Sequence, residues 1–115
     1  MKKEKAKDFI RVLVKQPGKP VVEDLIPNEL EIFQRLIGGY IETVMLPQNT
    51  VMIVNEEGKL KGLPHNFFYA GDDIVGTVVF CSQKNDDFTD IRPSAVKYVV
   101  NRFDQDTTTT WPGLE

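Results

Sequence analysis

"NELEIFQRLIGGYIETVMLPQNTVMIVNE", Asn28 to Glu56, changes its hydrophobic period partway along, and that change decides the fold class. Up to Ile37 the spacing is helical: Leu30, Phe33 and Ile37 fall at i, i+3 and i+7, with Leu36 beside them. Asn28 is a strong N-cap residue type, and Glu31 stands at capping-box distance from it. Pro27 blocks extension upstream, and Gly38-Gly39 supply a left-handed exit. Together these signals predict a helix of about ten residues. From Tyr40 the pattern becomes β-rich: "YIETVMLP" and "NTVMIVNE" are two runs parted by turn residues around Pro47 to Asn49, which predicts a hairpin.

Working outward, Phe9 to Lys15 is rich in Val and Ile and reads as a strand. Pro17-Gly18 suits a type II turn, after which "PVVEDL" returns as a second strand with Pro20 marking an edge position or the strand start. Downstream, "NEEGK" reads as a tight turn that makes "VMIVNEEGKLKGL" one hairpin, with Lys59 and Lys61 on one side of its second strand. "IVGTVVF" reads as a buried strand in which Gly76 marks a bulge, and "CSQKNDDFTD" as a polar loop. The last helix falls between Thr89 and Phe103, with Pro93 in its first turn and a stripe of Val96, Val99, Val100 and Phe103. The expected order is ββ-α-ββ-β-α: an α+β fold with a small, mostly antiparallel sheet of about five strands and two helices packed on one face. Residues 1–8 are expected to be a flexible basic N-terminus and residues 9–103 a single domain. Residues 104–115 form a polar tail whose Trp111 is a candidate for docking.

At 115 residues the chain has room for one core that needs no disulfide or metal. Cys81 is the sole cysteine, which rules out an intrachain disulfide and a cysteine zinc site. It also points to a cytoplasmic setting. No apolar run is long enough to span a membrane, so no membrane partner is expected. A formal net charge of −3 gives no counterion-release drive toward nucleic acid, so no direct nucleic-acid partner is expected either.

Catalytic chemistry has little to stand on. The Asp72-Asp73 and Asp86-Asp87 pairs lack the spacing of an EF-hand or comparable metal loop. His65 is the only histidine and cannot build a multi-histidine metal site, although its ordinary pKa would suit a general base. No nucleophile elbow, zinc helix or phosphate loop occurs. No catalytic residue, metal ligand or cofactor is therefore assigned. Residues Gly71 to Asp90 hold five aspartates and one lysine, which leaves room for a local acidic docking patch.

The runs "RLIGGYIETVMLPQNTVMIVNEEGKLKGLPHN" and "YAGDDIVGTVVF" carry a resemblance. The motifs are Gly38-Gly39-Tyr40-Ile41-Glu42, then Asn55-Glu56 with Gly58-Lys59, then Gly62-Leu63-Pro64 with Asn66. The last is Gly71-Asp72 with Ile74, Gly76 and Thr77. With either Asp72 or Asp73 as the matching acid, the combination resembles a family of small phage, plasmid and Firmicutes proteins classed as a domain of unknown function. His65 occupies a variable slot. The resemblance implies a setting among mobile-element accessory genes, sometimes near antirestriction functions, and no activity or catalytic residue.

Such a motif set suggests more than a turn. Asn55, Lys59, Gly62, Pro64, Asn66 and Asp72 are the candidate ligand-binding residues, as side-chain amides, a carboxylate and glycine backbone that could converge on a polar group. The alternative is that Asn66 and Asp72 pin the loop's own backbone. The leading expectation is a non-catalytic binding protein of a phage or mobile element, acting by protein–protein interaction on a host defence or regulatory component. A homo-oligomer is among the arrangements this allows. The alternatives are a small-ligand, nucleotide-like sequestering protein, and a small enzyme using His65 with an aspartate.

Overall fold

The structure, a computed structural model, describes residues 9–104. The expectations for residues 1–8 and for the tail with Trp111 lie outside the described residues. Among the described residues, eight strands and two helices follow in the order β1 (Phe9–Lys15), β2 (Val22–Pro27), α1 (Leu30–Ile37), β3 (Ile41–Leu46), β4 (Thr50–Asn55), β5 (His65–Tyr69), β6 (Asp72–Val75), β7 (Val78–Lys84), β8 (Asp87–Thr89) and α2 (Pro93–Phe103). The fold is α+β, with a main sheet ordered β2-β1-β7-β4-β3 and β8 attached to β7. Every pairing is antiparallel.

The central strands explain the layering. β4 is buried at all six positions and β7 at its first five. Strands apolar on both faces require cover on both sides. Val51, Ile53, Val79 and Cys81 point to one side, where they join Ile10, Val12 and Val14 of β1 beneath Phe33 and Ile37 of α1. Met52, Val54, Val78 and Phe80 point to the other, beneath Ala95, Val99 and Phe103 of α2 and Phe67 of β5. The helices therefore occupy opposite faces, not one face as the element order suggested. The β5–β6 hairpin shares the α2 side.

Local differences have physical causes. α1 begins one residue later than its capping signal: Glu29 takes the N-cap position without a side-chain cap bond, and Asn28 instead donates through Nδ2 to the Phe88 carbonyl at 3.2 Å. Leu30 stays exposed, so Phe33 and Ile37 alone of the stripe are fully buried. In α2 Ala95 takes the buried place, whereas Val100 faces outward. Gly76, at φ +77°, does not bulge a strand; it separates β6 from β7. The polar stretch after Cys81 is a hairpin: β7 runs to Lys84, Asn85 and Asp86 turn with positive φ, and β8 returns.

Cys81 lies in the α1-side core, and burial pushes its thiol up to about 12. Since the thiolate is the nucleophile, the native protein near neutral pH should react with a soluble disulfide reagent roughly 100-fold or more slower than the unfolded chain. Parallel progress curves in buffer and in denaturant read this directly. The folded thiol keeps its proton to higher pH than the unfolded one. Its stabilising contribution is thus complete below the ordinary thiol range and declines as pH rises from there toward 12.

Candidate functional site

The motif residues meet at one corner, where the C-terminus of α1, the end of β4 and the β5–β6 hairpin come together. Gly38 takes the left-handed conformation at φ +89°, and its N–H donates to Gln34 at 2.8 Å, closing α1. Asn55, buried at the end of β4, donates through Nδ2 to the Ile37 carbonyl at 3.3 Å and accepts from the Glu57 N–H at 2.8 Å. It thus closes a helix carbonyl and an Asx-type turn together. A Cβ on Gly39 would lie 2.8 Å from Lys61 Nζ and 3.0 Å from the Asn55 amide nitrogen, so a side chain there would have to displace both.

Between Asn55 and His65 the chain does not form a hairpin arm. It winds through successive turns, with Lys61 N–H donating to Glu57, Gly62 N–H to Lys59 and Leu63 N–H to Gly58. The two lysines consequently part company. Lys59 forms an ion pair with Asp72 across the groove, while Lys61 reaches toward the Gly38 carbonyl at 3.4 Å. The Asp72 hydrogen bond raises the Lys59 pKa, and the same bond lowers that of Asp72. Both side chains are exposed, so solvent screens the pair. Whatever it contributes is present above the usual carboxylate range and fades as pH falls through the lowered Asp72 value.

Asn66 is fully buried. Its Oδ1 accepts from Lys15 Nζ at 2.9 Å, and its Nδ2 donates to the Lys15 and Gly76 carbonyls at 2.8 and 2.7 Å. Lys15 is itself fully buried, with Nζ 6.0 Å from the centre of the Phe67 ring. Pro64 accepts from the Gly76 N–H at 2.8 Å, and Gly62, at φ +70°, sits in open space. Of the six candidate residues, Asn55, Lys59 and Asp72 line a common groove; Gly62, Pro64 and Asn66 do not.

That groove holds about 180 Å³. Val54, Ile74 and Val75 form its apolar floor, and Glu42, Glu56, Glu57, Asp72 and Asp73 supply five carboxylates against the one ammonium of Lys59. Leu60, 88% exposed, stands on its rim. Beyond Asp73, its Oδ1 meets His65 Nδ1 at 2.5 Å, and the imidazole packs on Phe68 with centroids 4.7 Å apart. Among the described residues no three His, Cys, Asp or Glu side chains are arranged to hold a metal ion. No helix among them is long and apolar enough to cross a membrane.

Glu42, Glu57, Leu60 and Lys15 stand outside the six candidate residues. A signal existed for two of them. Lys15 shares the strand face of buried Leu13, and Glu42 is the acidic member of the Gly-Gly-Tyr-Ile-Glu motif. Leu60 carried none, because an apolar residue within a turn has no periodicity to reveal its direction.

Fold and site together define a small antiparallel α+β protein with a carboxylate-walled groove over an apolar floor. The chain belongs to the family described as a domain of unknown function, DUF3846, whose pattern matches residues 10–104. No curated protein and no solved structure matches the chain.

Proposed function

We propose that this chain is a non-catalytic binding protein that engages a basic segment of another protein in the groove beside Lys59. The observation that carries the reading is the pairing of an apolar floor with five carboxylates and an exposed leucine on the rim. An arginine or lysine side chain suits such a surface, with its aliphatic stem on Val54 and Ile74 and its cationic head among the acids. The mobile-element setting implied by the motif resemblance makes a host defence or regulatory protein the class of partner. The sequestering of a small polar ligand has less support. At about 180 Å³ the groove is smaller than ordinary ligand pockets, and Asn55 and Asn66 spend their amides on the fold's own backbone and on Lys15.

The enzyme reading retains one favourable observation, the His65–Asp73 contact, since a carboxylate on one ring nitrogen can orient the other as a base. One experiment tests the binding reading. Immobilised wild-type protein should retain a stoichiometric partner from host lysate. The Glu57→Lys/Asp73→Lys double variant should hold that partner at least about 10-fold more weakly, and raised salt should weaken the wild-type complex. His65→Ala should bind within about twofold of wild type, as expected for a side chain outside the groove. Retention of the partner by the charge-reversed variant would sink the groove as the contact surface.

A further inference from the structure

The two strands that end the main sheet have unlike free edges. β2 follows Pro20, ends on Pro27 and carries Glu23 and Asp24, devices that discourage pairing with another chain. β3 carries one charge, Glu42, and no proline, and its six residues stay in unbroken register with β4. Across that ladder the Glu56 N–H donates to the Tyr40 carbonyl at 2.9 Å. By the alternation of an antiparallel pair, Glu42, Val44 and Leu46 also turn their backbone groups toward β4. The N–H and C=O groups of Ile41, Thr43 and Met45 point away, and among the described residues no strand lies beyond them. Thr43 is exposed and Met45 is 55% exposed.

We propose that β3 pairs antiparallel with β3 of a second copy of this chain, about a two-fold axis through Thr43, joining the two main sheets into one. In this register Ile41 faces Met45 of the second copy and Thr43 faces Thr43. All three outward residues then occupy hydrogen-bonded positions, making about six backbone bonds. A slip of one residue sets outward-facing groups against inward-facing ones. A slip of two residues one way opposes Glu42 to Glu42, and like charges directly opposite are unfavourable. The same slip the other way places Pro47, which has no N–H, opposite Ile41. Only the Thr43-centred register uses every donor.

The pairing also bears on the groove. Glu42, one of its walls, comes opposite Val44 of the second copy, and the two Glu42 residues become diagonal neighbours about 7–8 Å apart, with their Cβ atoms somewhat closer. Two acidic grooves therefore adjoin across the axis. That use of the dimer rests on the binding function proposed above, whereas the pairing itself does not.

Sedimentation equilibrium at micromolar concentration should return a dimer for the full chain. Thr43→Pro removes a donor that β4 does not use, so it should yield a folded monomer with the melting temperature of a dissociated wild type. Thr43→Cys should form a disulfide-linked dimer under mild oxidant, because hydrogen-bonded partners lie about 5.5 Å apart at Cα, within disulfide range. Buried Cys81 does not compete, and Glu42→Cys, facing Val44, should link at least about 10-fold more slowly. A monomeric wild type, a dimer that persists in folded Thr43→Pro, or equal linking by the two cysteine variants would each overturn the proposal. None of these measurements involves a partner protein, so their failure is distinguishable from failure of the binding function.

Discussion

Replacing Asn66 by leucine is expected to remove about 3–5 kcal/mol of stability, which is what breaking one side of a buried, charge-bearing network costs. Three bonds go at once. The Lys15 ammonium loses its Oδ1 acceptor, and the carbonyls of Lys15 and Gly76 lose their Nδ2 donor. All of this happens at a fully buried position from which water cannot replace the lost groups. Leucine fills comparable space, so the loss measures polar satisfaction more than a cavity. Urea unfolding followed by circular dichroism should show the midpoint fall with an unchanged slope. The melting temperature should drop by roughly 10–20 °C for a domain of this size. Asn66→Asp should land between the two, since it keeps an acceptor for Lys15 but sets a carboxylate against two carbonyl oxygens. A loss below about 1 kcal/mol for Asn66→Leu would mean that the network is not what holds β5 against β1.

This single residue shows how far the site was legible in the sequence. The motif containing Asn66 was visible, and so was the choice between a ligand contact and a pin for local backbone. The structure has the amide bound to Gly76 ten residues away and to Lys15 fifty-one residues away. No spacing in a linear chain reveals a partner that distant. The same limit applies at Asn55, Gly39, Gly58 and Gly76. A Cβ on Gly58 would stand 2.8 Å from Val75 Cγ2, and one on Gly76 would stand 2.8 Å from Leu63 Cδ1. Gly39, Gly58 and Gly76 are therefore close-approach positions that let the helix end, the turn run and the β5–β6 hairpin interlock, whereas Gly62 and Gly71 face open space.

The fold was more legible because local chemistry determined it. Period and capping located α1, β1, β3 and β4, and the left-handed Gly38 ended α1 as expected. What failed was the layering. The strands "TVMIVN" and "VVFC" are apolar on both parities, which is the mark of a sheet covered on both faces. Helices on one face would have left Val51, Ile53, Val79 and Cys81 in water. The short elements β5, β6 and β8 were missed for a different reason. Their turns at Ala70-Gly71 and Asn85-Asp86 take positive φ at both central positions; the polar residues around the second read as loop, and Ile74-Val75 of β6 read as the start of one strand with β7.

Phe103→Ala should cost a further class of stability, about 3–5 kcal/mol, through the cavity left by a buried ring. Phe103 has no exposed surface, and its ring centroid lies 4.4 Å from that of Phe67 and 5.4 Å from that of Phe80. Tyr69 and Tyr98 stand at 6.2 and 6.1 Å, and the Arg102 guanidinium sits 5.1 Å from the ring centre. Only Ala95, Val99 and Phe103 of α2 are buried, so one truncation removes most of the helix's grip. The next residue, Asp104, accepts the Val21 N–H at 2.7 Å, and loosening the last turn of α2 should release that tie to the β1–β2 connection as well. Phe103→Leu should lose far less, under about 1.5 kcal/mol if the neighbours repack, which separates shape from mere hydrophobicity. The decisive comparison is the double variant with Asn66→Leu. Phe67 follows Asn66 in the chain and packs against Phe103 in a tilted ring contact, so the two losses should deviate from additivity by more than about 0.5 kcal/mol. Additive losses would mean that α2 and the β5–β6 hairpin sit independently on their face of the sheet. Coupled losses would mean that the hairpin bearing Asp72 and Asp73 is held in place by α2, making the groove wall only as rigid as the aromatic cluster beneath it.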